Sequence, residues 1–471
     1  MVIYFFITVS VLFCACQSYQ PQPIIPTQSL EKIDSSRKAM LTDRLETQQP
    51  VHQQFTFLKA VKILGTNSPI LKEVRAEYKK IKDIAAINTP LPNPRLELGA
   101  LIGTQLGNDS GGRVQPLVAF GFTIPLSSRL TKQDEVNTAA AKYAYLRYVL
   151  QHRSEYLKLR KIYIDLLFLE EHRKLHDRII NTVNNSSSIT KELVAAGVTT
   201  AFDVGIIELE VLQKSAQLKK IERQILQLKG KLSEILGINS KFFQFTQPQI
   251  YPQLPSKMPS VEQLKKILLS NHPQLALLRA SHEIVEKRLH LEITKQTPDL
   301  IVSPSFEGDP GEDRNVWGVS VRFPVPIFDK NQVAIKSQEG QRRVIKTKYD
   351  STLNRALARM EASHADYVLQ KNRHNQAKVI SKKAQENVEL ALEILKRGEL
   401  NFIRYIDTER SLANSLLEMH SAKKAMYYAW MEVEKIIGMP LSLLPQEQEQ
   451  EQEQGATTIK DLFSPAKGVQ E

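Results

Sequence analysis

The sequence predicts a mainly α-helical chain with a small β part, built as a tandem repeat around very long helices. Three observations carry this. Residues 192–236 recur as 393–437: Gly197 falls on Gly398, Phe202 on Ile403 and Gly237 on Gly438, each 201 residues apart (398 − 197, 403 − 202, 438 − 237). The stretches Leu126–Ala196 and Phe328–Arg397 contain no proline and one interior glycine, Gly340. Each therefore describes a helix of about 70 residues and about 100 Å, too long for a compact core. Finally, strand-like alternation is confined to four short segments, two in each copy.

The chain begins with an almost wholly apolar run, Met1–Phe13, followed by Cys14-Ala15-Cys16. That run is shorter than the roughly 20 residues of a membrane-spanning helix and fits the core of an export signal. The segment Phe13–Cys16 resembles a bacterial lipobox, with Phe13 where leucine is usual. Residues 1–15 are thus expected to be a signal peptide and Cys16 to carry lipid. Cys14 and Cys16 are the chain's only cysteines, so no disulfide framework or cysteine zinc site follows. Residues 16–54, with Pro21, Pro23 and Pro26, read as an extended arm.

The first repeat is expected over 55–260 and the second over 261–441. Both open alike, ILGTNSP at 63–69 matching ILLSNHP at 267–273. The opening helices, Thr56–Asn88 and Val261–Thr294, stop before Pro90 and Pro298. Strands come next, at about 95–124 and 299–324. Leu96, Leu98, Ala100 and Ile102 alternate with Glu97, Gly99 and Gly103. After GNDSGGR, Val118, Phe120, Phe122 and Ile124 alternate with Ala119, Gly121 and Thr123. After GDPGED, Trp317, Val319, Val321 and Phe323 alternate with Gly318, Ser320 and Arg322; Asp299–Phe306 is less regular. Such a period of two gives a sheet with one apolar and one polar face. About ten residues is also the length of a tilted transmembrane strand. A water-exposed sheet packed on helices satisfies the same alternation.

Each long helix ends at a glycine, Gly197 or Gly398, placed for the left-handed turn that closes a helix. The helices Ala201–Leu236 and Phe402–Ile437 then run back. Thr200 and Asp203 have capping-box spacing; in the second copy Asn401 takes the N-cap place and Arg404 replaces the carboxylate. A seven-residue pattern, Leu218, Ile221, Ile225, Leu228, Leu232 and Ile235, recurs as Met419, Ala422, Met426, Ala429, Val433 and Ile436. It predicts coiled-coil packing, continued along the long helix by Tyr156 and Tyr163 beside Leu157 and Ile164. One returning and one opening helix, stacked, match one long helix in length. The result is a long strut flanked by two half-struts, twice over. The stretch 442–471, containing QEQEQEQEQ, has no apolar face and is expected to be a disordered tail.

No phosphate-binding glycine loop, GxSxG, HExxH or paired-cysteine spacing is present. No catalytic site and no cofactor is expected, and the chain is not read as an enzyme. His172 and His176, four apart beside Glu170 and Glu171, could hold a metal ion; a solvated helix face is the plainer reading. The net charge of +12 arises from 63 basic and 51 acidic residues spread along the helices. It reads as a solvated surface, with no nucleic-acid partner.

Over about Phe55–Leu441 the chain resembles the TolC-like outer-membrane efflux proteins. The resemblance rests on the tandem repeat, on FTIPLS and FPVPIFDKNQ leaving the strands, and on the hairpin tips at Gly197 and Gly398. Gly197 with Asp203 six residues on matches the family's first tip. The second tip usually carries carboxylates six and nine residues after its glycine; here those positions are Arg404 and Asp407.

The resemblance implies a homotrimer in the outer membrane of a Gram-negative bacterium, with a long periplasmic extension. Each protomer would give four transmembrane strands to a 12-stranded barrel, continued by a long α-helical barrel. Four strands alone cannot close, and an open edge facing lipid costs several kcal/mol per unpaired group. Two four-stranded chains would also close, so the number three comes from the family. The implied function is a passive exit duct of a tripartite efflux system for drugs or metal ions. Its partners would be a periplasmic adaptor (membrane fusion protein), an inner-membrane transporter and outer-membrane lipid. A lipidated Cys16 places it nearer the lipoprotein members that serve resistance-nodulation-division pumps.

At the periplasmic end, Gly197, Val198, Thr199 and Thr200 with Gly398, Glu399, Leu400 and Asn401 are expected to meet the adaptor. Asp203, Arg404 and Asp407 are the candidates for the aperture or its latches. Two other uses fit the same sequence. One is an outer-membrane duct for ABC-driven type I secretion. The other, of a different class, is a periplasmic structural coiled-coil protein without a pore.

Overall fold

A computed structural model describes residues 19–42, 56–103, 113–197, 200–239, 258–309, 314–397, 399–400 and 402–441. The chain falls into two units, Met1–Phe55 with Ile238–Gln247, and Thr56–Gly237 with Pro248–Glu471. The expected signal peptide at 1–15, Cys16 and the expected tail at 442–471 lie outside the described residues.

In the first unit, helix α1 spans Pro26–Thr42, which corrects the expectation of an extended arm. Pro21 and Pro23 precede it, and Pro26 takes the first helical position, where a missing N–H costs nothing. Nothing after Pro26 in this span breaks a helix.

The second unit runs α2 (Phe57–Asn67), α3 (Pro69–Ala85), β1 (Arg95–Gly103), β2 (Arg113–Pro125), α4 (Arg129–Ala195) and α5 (Ala201–Leu236). The second copy repeats this as α6 (Val261–Asn271), α7 (Pro273–Thr294), β3 (Asp299–Asp309), β4 (Arg314–Arg322), α8 (Gln332–Lys396) and α9 (Phe402–Ile437). The long helices hold 67 and 65 residues, about 100 Å each at 1.5 Å per residue. Each opening helix is two helices rather than the single one expected. Proline lacks the amide that would continue the ladder and holds the preceding residue out of the helical region. The chain accordingly breaks at Ser68 before Pro69 and at His272 before Pro273. His272 caps the new helix, its Nδ1 accepting from the Leu275 amide at 3.3 Å.

α4 lies against α5, and α8 against α9, while α7 bridges α4 and α8 and α3 flanks α4. α9 meets α4 along a looser seam. The seven-residue pattern faces inward: Ile221, Ile225 and Leu232 of α5 are buried, as are Ala422, Met426, Ala429, Val433 and Ile436 of α9. The largest core gathers Trp430, Tyr427 and Val433 of α9 with Ile164 and Phe168 of α4, Met360 and Tyr367 of α8, and Leu264 and Leu268 of α6.

Half-struts meet at two equivalent junctions. In the first copy, Asn67 donates from Nδ2 to the carbonyls of Leu236 and Gly237, both at 3.1 Å. In the second, Arg153 of α4 donates to the carbonyls of Glu434 and Gly438. Gly237 and Gly438 have φ of 66° and 91°, the left-handed region in which glycine ends a helix. A second link beside the Arg153 junction is fully buried: Arg160 donates to Glu434 and lies over the Trp430 ring at 4.7 Å. The other carboxylate oxygen of Glu434 accepts from the Leu441 amide at 2.7 Å.

The strands form one antiparallel sheet in the order β1-β2-β3-β4. Its centre joins the two copies, with Val118 opposite Phe306 and Ile124 opposite Leu300. Arg129 at the start of α4 grips Asp299 at the start of β3 through two hydrogen bonds, 2.9 and 2.7 Å. This fork-on-carboxylate pairing anchors the sheet on the helices.

Candidate functional site

The functional surfaces are built from the two ends of this unit. At the sheet end, the register puts Leu96 beside Phe120, Val118 beside Phe306, Val302 beside Val321 and Phe306 beside Trp317. One continuous face is therefore apolar across all four strands, including β3, whose pattern the sequence left irregular. Trp317 and Val319 are 79% and 73% exposed, more than a water-facing surface would leave to such side chains. The opposite face carries Glu97, Gly121, Thr123, Ser303, Ser305, Ser320 and Arg322. β1 and β4 have no partner on their outer edges among the described residues.

At the other end stand the hairpin turns. Gly197 closes α4 with φ of 73° and donates to the Val194 carbonyl at 3.0 Å. The Thr200 amide and hydroxyl both donate to Asp203 Oδ2, at 3.1 and 2.7 Å, so the carboxylate of Asp203 is engaged by the start of its own helix. Glu399 donates from its amide to the Ile394 carbonyl at 3.2 Å, and Leu400 follows. Val198, Thr199, Gly398 and Asn401 lie outside the described residues.

Arg404 is exposed, and no ion pair to it is found among the described residues. Asp407 pairs with Arg410 at 2.9 Å, and Arg410 reaches across to Glu210 of α5 with bonds of 3.2 and 2.7 Å. The Arg410 guanidinium pulls the Glu210 carboxyl below the usual glutamate range. These two residues escaped the sequence reading. The signal was present, since Glu210 lies 13 residues past Gly197 and Arg410 lies 12 past Gly398 (210 − 197, 410 − 398). Beside them a cleft of about 140 Å³, lined by Leu175, Ile179, Thr182 and Leu416, separates α4, α5 and α9.

The His172–His176 pair is not on a solvated helix face, which corrects that reading. His176 is 3% exposed, with its Nε2 3.3 Å from Gln217 of α5. The two rings meet edge to face at 4.7 Å. Burial first, then His176, His420 and Lys424, press His172 down to about 4. Among the described residues, no three His, Cys, Asp or Glu side chains are grouped to hold a metal ion. No described helix is long and apolar enough to cross a membrane.

No family model matches the chain. It is 23% identical over 281 residues to the cobalt-zinc-cadmium resistance protein CzcC of Cupriavidus metallidurans, covering 59% of this chain and 66% of that relative, just under two thirds of its length. Among solved structures, CusC superposes with a TM-score of 0.67 at 12% identity, over 82% of this chain and 92% of CusC. The Campylobacter jejuni CmeC outer membrane channel superposes with a TM-score of 0.66 at 13% identity, over 95% and 94%. The fold is shared with these structures, as the sequence resemblance implied.

Proposed function

We propose that this chain, which has the fold of the outer-membrane efflux channels, is the passive exit duct of a tripartite efflux system in a Gram-negative outer membrane. The observation that carries the reading is the sheet: an apolar face continuous over four strands, with two bare edges, on top of struts of about 100 Å. A hydrocarbon environment suits the face, and only closure with other copies satisfies the edges. Three chains would supply twelve strands. The sheet's polar face would line the pore, and the hairpin tips would meet a periplasmic adaptor coupled to an inner-membrane pump. Thr200, Glu399 and Leu400, with Gly197, Val198, Thr199, Gly398 and Asn401, are the proposed contact residues. Asp203, Arg404 and Asp407 are the proposed aperture residues, and Cys16 the proposed lipid anchor.

Likeness to a cobalt-zinc-cadmium resistance protein favours divalent metal ions over organic drugs as the cargo. Purification in detergent followed by native mass measurement and planar-bilayer recording tests the duct. A trimer that conducts ions is expected; a monodisperse monomer that stays in aqueous buffer without detergent would overturn it. Loss of the gene should raise cellular zinc, cobalt or cadmium; unchanged metal content would remove the metal assignment and leave the duct.

A further inference from the structure

We propose that the cleft between α4, α5 and α9 binds a compact apolar monocarboxylate, its hydrocarbon part seated over Ala413 and its charge met by Arg178 and Lys214. The inference stands independently of what the chain transports.

The cleft opens over one small side chain. By the offset of the repeat, Ala413 of α9 corresponds to Leu212 of α5 (413 − 201). Leu212 is 67% exposed, whereas Ala413 is buried with Leu175 and Ile179 of α4. A methyl group therefore stands on the inward face where the first copy carries a leucine. The space above it, about 140 Å³, is walled further by Val183, Ile406 and Leu416. An apolar cavity of about 150 Å³ holds benzene, so this cleft has room for one six-membered ring or a short branched chain. Water finds little to bond there: the Ser186 hydroxyl on the wall already donates to the Thr182 carbonyl at 3.0 Å.

Charge selects the ligand class. The lining carries three cations, Arg178, Lys214 and Arg410, and two carboxylates, Glu210 and Glu409. Both carboxylates are engaged. The oxygens of Glu210 each accept from Arg410, at 3.2 and 2.7 Å, and Glu409 accepts from the Tyr405 hydroxyl at 2.7 Å. Arg410 is in turn shared with Asp407. Arg178 and Lys214 have no hydrogen bond or ion pair among the described residues. Lys214 does stand near Glu210, a carboxylate already held at both oxygens.

Two cations from neighbouring helices thus meet at an apolar cleft with no anion of their own. A carboxylate supplies that anion through charge-assisted hydrogen bonds, which are about twice as strong as neutral ones. An amine of the same size would meet like charges, and a neutral amide would gain the apolar contact alone. A concave, mostly apolar lining with a few polar groups to fix orientation is the usual construction of a small-molecule site.

The test adds the full chain, in detergent, to para-fluorobenzoate and follows broadening of the fluorine NMR line. The neutral para-fluorobenzamide and the cationic para-fluorobenzylamine have the same ring and serve as comparisons. Saturable broadening of the benzoate is expected, with binding about tenfold weaker or more for the amide and none for the amine. Ala413→Leu fills the cleft and should abolish the benzoate effect. Arg178→Gln with Lys214→Gln leaves the room intact and should weaken benzoate binding about tenfold or more. Circular dichroism checks each fold; if Ala413→Leu loses helicity, Ala413→Val replaces it. Absence of benzoate broadening by the wild type overturns the site, as does equal broadening by the amine. Benzoate binding that survives filling of the cleft overturns it too, since the ligand would then lie in the micelle or elsewhere. Binding unchanged in the glutamine pair overturns the recognition of a carboxylate.

Discussion

Arg410 of α9 holds Glu210 of α5 through two bonds of 3.2 and 2.7 Å, tying one hairpin of the repeat to the other a few turns above the tips. The Glu210 side chain is 12% exposed and that of Arg410 40%. The pair is worth about 1 kcal/mol, more than a fully solvated one. Glu210→Gln and Arg410→Ala should both raise single-channel conductance in the absence of partners. Asp407→Ala should do so weakly, because its side chain is 60% exposed, and Arg404→Ala, which breaks no bridge, least of all. Since Arg410 lowers the Glu210 carboxyl, the tie is intact above the usual glutamate range and is lost as pH falls through the lowered value. Equal conductance for Arg410→Ala and wild type would remove it as a latch.

The two glycines at the half-strut junctions should be far less tolerant than the glycine at the tip. A Cβ on Gly438 would collide with the Asn271 carbonyl, and one on Gly237 would stand 3.0 Å from the Asn67 carbonyl oxygen. Around Gly197 there is open space. Gly197→Ala should cost about 1 kcal/mol, the strain of the left-handed backbone alone. Gly438→Ala should cost more than about 3 kcal/mol. Denaturant midpoints of the three variants rank them.

The Arg160–Glu434 pair is buried beneath Trp430, and breaking it leaves an uncompensated charge. Glu434→Ala should therefore destabilise by about 3–5 kcal/mol, whereas Arg160→Met combined with Glu434→Leu should recover most of the loss. Thermal unfolding of the single and double variants measures both.

The faces of the sheet should respond oppositely to charge. Val319→Arg places a guanidinium on the apolar face and should cost about 2–4 kcal/mol if it meets the middle of a bilayer. Ser320→Arg, one residue on and on the other face, should assemble normally. The yield of each variant in the outer-membrane fraction is the readout. Equal yields would mean that the apolar face does not meet lipid.

Much of this architecture was legible because it rests on local patterns. The helices Ala201–Leu236 and Phe402–Ile437 were read to the residue, since a turn glycine and a seven-residue apolar pattern fix both ends. The breaks at Ser68 and His272 were missed because the apolar pattern continues through them, and only the proline chemistry marks them. The burial of His176 was invisible for another reason. Periodicity tells which side of a helix is apolar, but not that Gln217 of α5 will arrive against His176, or His420 and Lys424 of α9 beside His172. Glu210 and Arg410 fall between these cases: their offsets of 13 and 12 residues from the tip glycines are legible in the sequence, but not that the hairpins lie close enough for them to touch.

The pairing of β2 with β3 sets the order in which the molecule can form. Pro125 and Asp299 face each other across 174 residues of chain (299 − 125), and no short turn brings them together. Chain closure over such a distance is slow, whereas each long hairpin forms from neighbours in sequence. The struts must therefore align first, with the sheet completed afterwards at their far end. The apolar face is then assembled last, so the folding chain is spared a long exposure of its most aggregation-prone surface.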